Sequence, residues 1–377
     1  MNLLSIYKSY YPESGGIQSV IKNISENFIE IGHIAKVICL TDKETINFET
    51  INGVEVFRVK DSSFKHLMDY SINFSNFFND NKYLFDEADI INIHSYHSFF
   101  SWQLIRFLDK KGYGSKIVFT PHYEGIGFTP MKRFLHKIYK YIANSSFIIP
   151  EKIVCVSNFE KNNLCKSFSI SLDKICVIPN GIKYPIPNRS VLKTISRDKI
   201  KLLYVGRIEE KKGIQYCLKA IRYFVDVYSL DIEFNIVGSG SFLTNLKDIS
   251  ENYRLNNVHF LGKVTDEELD NLYYNSDIFL LLSESEAYGI VVAESLAHGV
   301  ITIISKSTAL VEFLSENGCI GINYPPNHIE LANLIYRLTL EEVVIGPFNK
   351  NKICSWNEVS RKYESMYREL INDGNFS

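Results

Sequence analysis

The sequence is short of the usual marks of a metal site, a disulfide frame or a membrane span. Its seven cysteines are odd in number and scattered from Cys39 to Cys354, and none forms C-x-x-C. They read as reduced core thiols of a cytosolic protein, not as a zinc site or paired bridges. No D-x-D and no H-E-x-x-H occurs. No apolar run approaches the roughly 20 residues that cross a bilayer. The opening, MNLLSIYKSYYPESGG, lacks the basic start and long apolar core of a signal peptide. A formal net charge of −2 excludes a global basic field for nucleic acid. What remains is an ordinary globular composition, 46% hydrophobic and 22% charged, over 377 residues, long enough for two domains.

Short apolar runs alternate with helical patterns in both halves. NLLSIY, KVICL, VEVFRV, DIINIH, KIVFT, KIVCVS and KICVIPN are candidate strands of the first half. IKLLYVG, IEFNIVG, NVHFLG, DIFLLLS and ITIIS are those of the second. Runs that are apolar throughout suit parallel sheets covered on both faces, and the twofold repeat of strand and helix predicts two doubly wound α/β domains. VIPNGIKYPIPNRS is the linker candidate. The pattern SWNEVSRKYESMYREL predicts a late helix with Trp356, Val359, Tyr363, Met366, Tyr367 and Leu370 near one face.

Four stretches could carry chemistry. In PESGGIQSVIKNISENFIEIGH, Ser14 can cap a helix with Gly15 and Gly16 at its mouth. The glycines make either a flexible turn or a place where an anion meets backbone N–H groups. In LLYVGRIEEKKG, Arg207 and Lys212 follow the carboxyl end of a strand, where open α/β sheets bind ligands. In IVGSGSFLTNL, Leu243 stands where a dinucleotide fingerprint has its third glycine, so a tight turn is favoured. In SESEAYGIVVAESLAHG, Glu286 and Glu294 are eight residues apart, and Glu294 lies within an apolar helical run. A helix beginning near Tyr288 and Gly289 would put both carboxylates at its mouth. A buried carboxylate needs donors, either from within the fold or from sugar hydroxyls.

Other features carry less. DEAD, at Asp86 to Asp89, comes without a phosphate loop and reads as a helix end. His94, His97 and His122 could together suggest a metal, but for His122, at a strand end, a substrate contact is favoured. In PMKRFLHKIYKYI, residues 130–142, the apolar arc of Met131, Phe134, Leu135, Ile138, Tyr139, Tyr141 and Ile142 opposes Lys132, Arg133, His136, Lys137 and Lys140. Such a helix is either an ordinary one with a solvated basic face or a contact for an anionic membrane surface.

Taken together, SGG with its helix, VSNFEKNNL, VIPNGI, VGRIEEKKG, IVGSGS, VHFLGKV, ESEAYGIVVAESLAHG and the final SW…Y helix resemble, in order and spacing, the retaining glycosyltransferases of family 4. TPHYEGIGFTPMKRFLHKIY also resembles a loop of that family. The resemblance implies a GT-B fold of two Rossmann-like domains facing a central cleft. Residues 1–183 would bind the acceptor, 184–356 the nucleotide sugar, and a helix over 357–372 would cross back to the first domain. It further implies transfer from a nucleotide-diphosphate sugar, UDP- or GDP-linked, to a hydroxyl acceptor such as a lipid-linked glycan of cell-surface polysaccharide, lipopolysaccharide or glycolipid synthesis. No metal and no cofactor are implied, and the place of work would be the cytoplasm or the inner face of the plasma membrane.

By the same resemblance, the backbone at Gly16 would contact the donor diphosphate, and Arg207 and Lys212 would neutralise it. Glu286 would hold the donor sugar, Glu294 the ribose, and His122 would touch the sugar near its reacting carbon. Backbone N–H groups of Tyr288, Gly289 and Ile290 would add to the phosphate cradle. The chain departs from the family at Ala287 and Tyr288, usually glycine and phenylalanine. It departs again in VITIIS after Gly299 and in STALVE, which keeps Glu312 without the paired glycines. These changes bear on the shape of the sugar pocket. Two rivals are a nucleotide-sugar epimerase of the same fold and a non-catalytic nucleotide-sugar-binding protein.

Overall fold

A computed structural model describes residues 1–13, 15–41, 48–60, 74–125, 139–184, 186–187 and 189–373. The chain divides into two compact units, Met1–Gly181 with Trp356–Ser377, and Ile182–Ser355. The division falls inside the proline-bearing segment VIPNGIKYPIPNRS.

The first unit holds an eight-stranded sheet. Its spatial order is Phe48–Ile51, Val54–Lys60, Ile34–Thr41, Asn2–Tyr7, Ile90–His94, Ile117–Thr120, Lys152–Cys155 and Ile175–Val177. All neighbours are parallel except the first pair. The edge strand Phe48–Ile51 is absent from the sequence-based expectation. It is folded back by Asn52-Gly53, both with positive φ (48° and 83°), as a two-residue hairpin of this twist requires. The helix Trp356–Asp373 belongs to this unit. It buries Val359, Tyr363 and Tyr367. Asn92 donates to the Tyr367 hydroxyl at 3.0 Å, and His33 Nε2 lies 2.9 Å from Glu364 Oε1.

The second unit holds a six-stranded, wholly parallel sheet. Its order is Val258–Gly262, Ile232–Val237, Ile200–Val205, Ile278–Leu281, Ile301–Ser305 and Cys319–Ile322. In chain order that is 3-2-1-4-5-6. Ile200, Leu202, Leu203, Ile278, Phe279 and Leu280 are fully buried, which is why these runs show no alternation. The strand order reverses between Ile200–Val205 and Ile278–Leu281. The chain leaves the carboxyl ends of these two strands on opposite sides, opening the crevice in which such sheets take ligands.

Candidate functional site

The predicted residues of the second unit lie at that crevice. Arg207 and Lys212 follow Ile200–Val205, and Glu286 follows Ile278–Leu281. Gly213 joins the two loops. Its φ is +75°, and a Cβ there would lie 2.0 Å from the Leu282 carbonyl oxygen, so only glycine permits the approach. Glu284 N donates to Lys211 O at 2.7 Å across the same seam. Lys212 Nζ is then 2.5 Å from Glu286 Oε1, with the two side chains 8% and 15% exposed. Arg207 is different. Its guanidinium pairs with Glu209 at 2.6 Å and is 57% exposed.

The loop carrying Glu286 is held from beneath. Ser305 and Ser307 hydroxyls donate to Ser283 O at 2.5 and 2.7 Å, and Glu286 N donates to Thr308 Oγ1 at 2.9 Å. The helix Ile290–Ala297 starts one residue after Gly289, whose φ of +107° makes the turn into it. Its first N–H groups have no partner within the helix and carry the positive end of its dipole. The Tyr288 side chain is turned inward, its hydroxyl donating to Lys352 O and its ring edge-on to Phe313. Only its backbone can serve a ligand.

Glu294 lies in the second turn of this helix, as the sequence predicts. The Tyr273 hydroxyl donates to its Oε2 at 3.1 Å. Burial pushes its carboxyl up to about 7, against the downward pull of that hydrogen bond. His298, one turn further on, stacks on Tyr273 with ring centroids 4.8 Å apart. Its Nδ1 lies 2.7 Å from Glu294 O and its Nε2 2.7 Å from Asp270 Oδ1. Sequence reasoning missed Tyr273, His298 and Asp270. The one local signal is the four-residue spacing of Glu294 and His298, which puts them on one helix face.

Gly238 and Gly240 have a packing role. A Cβ on Gly238 would lie 1.9 Å from Gly206 O, and one on Gly240 2.2 Å from Ile208 O. Ile208 N donates to Ser239 O at 2.9 Å and Phe242 N to Ile208 O at 3.0 Å. The GSG turn buttresses the loop that carries Arg207, as the reading of a tight turn expects.

In the first unit the sheet order reverses between Asn2–Tyr7 and Ile90–His94. Gly15 and Gly16 follow the first of these strands. The helix Gly16–Glu30 has Gly15 at its cap position with no side-chain cap. Ser14, expected to cap it, lies outside the described residues. Space above the Gly16 Cα is open to 4 Å. His122 follows Ile117–Thr120 in a left-handed backbone conformation, φ +49°, and is 7% exposed. Its Nε2 is 3.3 Å from His94 Nδ1. Burial pulls His122 down to about 4 and His94 well below the usual histidine range, so both rings are neutral at pH 7 and one donates to the other. The His97 ring stacks instead beside Tyr123. Among the described residues no three His, Cys, Asp or Glu side chains gather as metal ligands do.

The remaining motifs resolve simply. Asp86 accepts from Lys82 and from the Tyr113 hydroxyl, and Asp89 accepts from Asn2 N, so DEAD is structural. Most of the basic stretch 130–142, which the sequence reads as a helix, lies outside the described residues. Of its end, Tyr139 donates to Tyr96 O at 2.8 Å, and Tyr141 is exposed. No helix among the described residues is long and apolar enough to cross a membrane.

Comparison with known proteins bears on the family and the fold. Residues 14–184 match the family described as Glycosyltransferase Family 4, and residues 190–353 match Glycosyl transferases group 1. The phosphatidylinositol N-acetylglucosaminyltransferase GPI3 subunit of Saccharomyces cerevisiae is 26% identical over 83% of this chain and 70% of its own. A human phosphatidylinositol N-acetylglucosaminyltransferase is 27% identical over 97% of this chain and 75% of its own. Sucrose-phosphate synthase of Thermosynechococcus elongatus superposes with a TM-score of 0.76 at 16% identity, over 99% of this chain and 100% of that one, which makes the fold GT-B. With both halves matched in order, the chain belongs to glycosyltransferase family 4, its second half being a group 1 glycosyl transferase domain.

Proposed function

We propose that the protein moves a sugar from a UDP- or GDP-linked donor to a hydroxyl of a lipid-linked acceptor, with retention at the anomeric carbon. The observation that carries this reading is the Lys212–Glu286 pair at the switch point, with Glu286 in the loop that leads into the helix Ile290–Ala297, whose start has no side-chain cap. A sugar diphosphate needs both an anion cradle and a hydroxyl acceptor, and this site offers them side by side.

Lys212 and the helix mouth stabilise the negative charge that grows on the departing diphosphate. Arg207 adds to this once it exchanges Glu209 for phosphate. Glu286 accepts from hydroxyls of the donor sugar, and Glu294 accepts from the ribose. Gly16 offers its backbone to the diphosphate, and neutral His122 presents a ring nitrogen to the sugar. The acceptor attacks from the face the diphosphate leaves, with a phosphate oxygen taking its proton. A lipid-linked acceptor is suggested by the relatives named for transfer to phosphatidylinositol.

The test is to incubate UDP-glucose, UDP-N-acetylglucosamine and GDP-mannose separately with the protein and to measure free nucleotide diphosphate. Slow release from one donor is expected. Interconversion of sugars without release would indicate an epimerase, and binding without turnover a silent module.

A further inference from the structure

The carboxylate of Glu160 has no part in the reaction above, yet it is fully buried. It sits at the third position of the helix Asn158–Ser167, whose cap Ser157 accepts from Glu160 N at 3.0 Å. In an ordinary capping box the glutamate turns back to the cap residue's own N–H. Here Oε2 accepts from Val156 N at 2.6 Å, and Oε1 reaches across 37 positions to accept from Tyr123 N at 2.5 Å. Burial raises the carboxyl, while the two N–H donors pull it down and favour the ionised form, which has an acceptor oxygen for each.

We infer that Glu160 is a positioning residue that holds His122 in its working conformation. The N–H of Tyr123 belongs to the peptide bond that begins at the His122 carbonyl. Fixing it fixes ψ of His122. The left-handed conformation of His122 is disfavoured for a side-chain-bearing residue by roughly 1–2 kcal/mol and persists only where the surroundings impose it. Two N–H donors from separate segments call for two acceptors, which a carboxylate has. Glutamine has the same size but one acceptor, and its amide would face an N–H. The inference rests on His122 meeting the donor sugar, as proposed above.

The test uses the full chain, with the best hydrolysed of UDP-glucose, UDP-N-acetylglucosamine and GDP-mannose as donor. Glu160→Gln is expected to lower kcat by on the order of 10- to 100-fold, the size a misplaced group produces, with donor KM within about twofold. His122→Ala should be slow, and the double variant no slower than His122→Ala alone. Ser157→Ala removes the cap but keeps the clamp, so it should melt earlier and turn over within about twofold of the native rate. Histidine ring NMR should show His122 and His94 signals moved by Glu160→Gln and unmoved by Ser157→Ala. Losses that multiply in the double variant, equal slowing by Ser157→Ala, or unmoved ring signals would each overturn the inference. If instead His122→Ala turns over at the native rate, the role proposed for His122 is wrong, and the positioning role goes with it.

Discussion

Lys212 Nζ meets Glu286 Oε1 at 2.5 Å. The two groups assigned to different parts of the donor, one to diphosphate and one to sugar, are each other's partner. An ion pair this shielded loses more when one member is removed than when both are.

Lys212→Met and Glu286→Gln should therefore each lower the melting temperature, by up to about 3–5 kcal/mol equivalent for a buried pair. The double variant should recover part of this loss. Thermal denaturation of the three variants measures the coupling, and strictly additive losses would mean that the contact contributes nothing. Turnover should fall in all three, by on the order of 100-fold or more for Lys212→Met if it steadies the leaving diphosphate.

The two glutamates separate by ligand. Glu294→Gln should weaken free nucleotide diphosphate, by about 1.5–3 kcal/mol for a lost charge-assisted bond. Glu286→Gln should leave that affinity nearly intact while turnover collapses. Calorimetric titration beside a hydrolysis assay tests both. A Glu294 held only by Tyr273, with no ligand duty, would show a lower melting temperature and unchanged nucleotide affinity.

The pH dependence has a defined sign. The Glu294 carboxyl stands at about 7 in the folded protein against an ordinary 4.5. The folded state holds the extra proton, so this group's stabilising contribution is present below about 4.5 and fades as pH rises to about 7. Across pH 5 to 8 the native protein should lose stability relative to Glu294→Gln, by at most about 3 kcal/mol. Nucleotide affinity should move the opposite way, because ribose hydroxyls bind the ionised form. Melting curves with and without nucleotide diphosphate, in both proteins, show whether the two trends diverge.

Turnover should survive excess chelator. The sequence has no D-x-D, and charge neutralisation is assigned to Arg207 and Lys212. Loss of activity restored by magnesium or manganese would refute that assignment.

Gly238→Ala should damage the site without touching it. The new methyl would lie 1.9 Å from Gly206 O, so the loop bearing Arg207 must shift. Overpacking of this kind typically costs about 1–3 kcal/mol, and a φ of +130° adds strain. Retention of both native stability and native turnover would show that the loop yields freely.

Legibility in the sequence follows the range of each interaction. The parallel strands were visible because residues such as Leu202, Leu203 and Ile278 are apolar in unbroken runs. Glu286 and Glu294 stood out because both fall in a single local stretch, the second inside an apolar helical run. The Lys212–Glu286 pair joins positions 74 apart, and the Glu160 arm joins positions 37 apart. No local pattern records such distances. The Tyr273 hydroxyl was hidden differently, since a buried tyrosine in a helix reads as core until its partner is known. The strand Phe48–Ile51 was in principle legible, because Asn52-Gly53 is a strong hairpin signal.

Because the helix Trp356–Asp373 belongs to the first unit, the second unit is an insertion within the first. During synthesis Ile182–Ser355 can reach its own sheet as soon as it has emerged, whereas the first unit must wait with Phe28, His33 and Asn92 still lacking Tyr367 and Glu364. The order of completion is thus the reverse of the order of the sequence. A fragment ending at Gly181 would expose the face that Val359, Tyr363 and Tyr367 cover, so the unit that begins the chain is the one left incomplete until the chain ends.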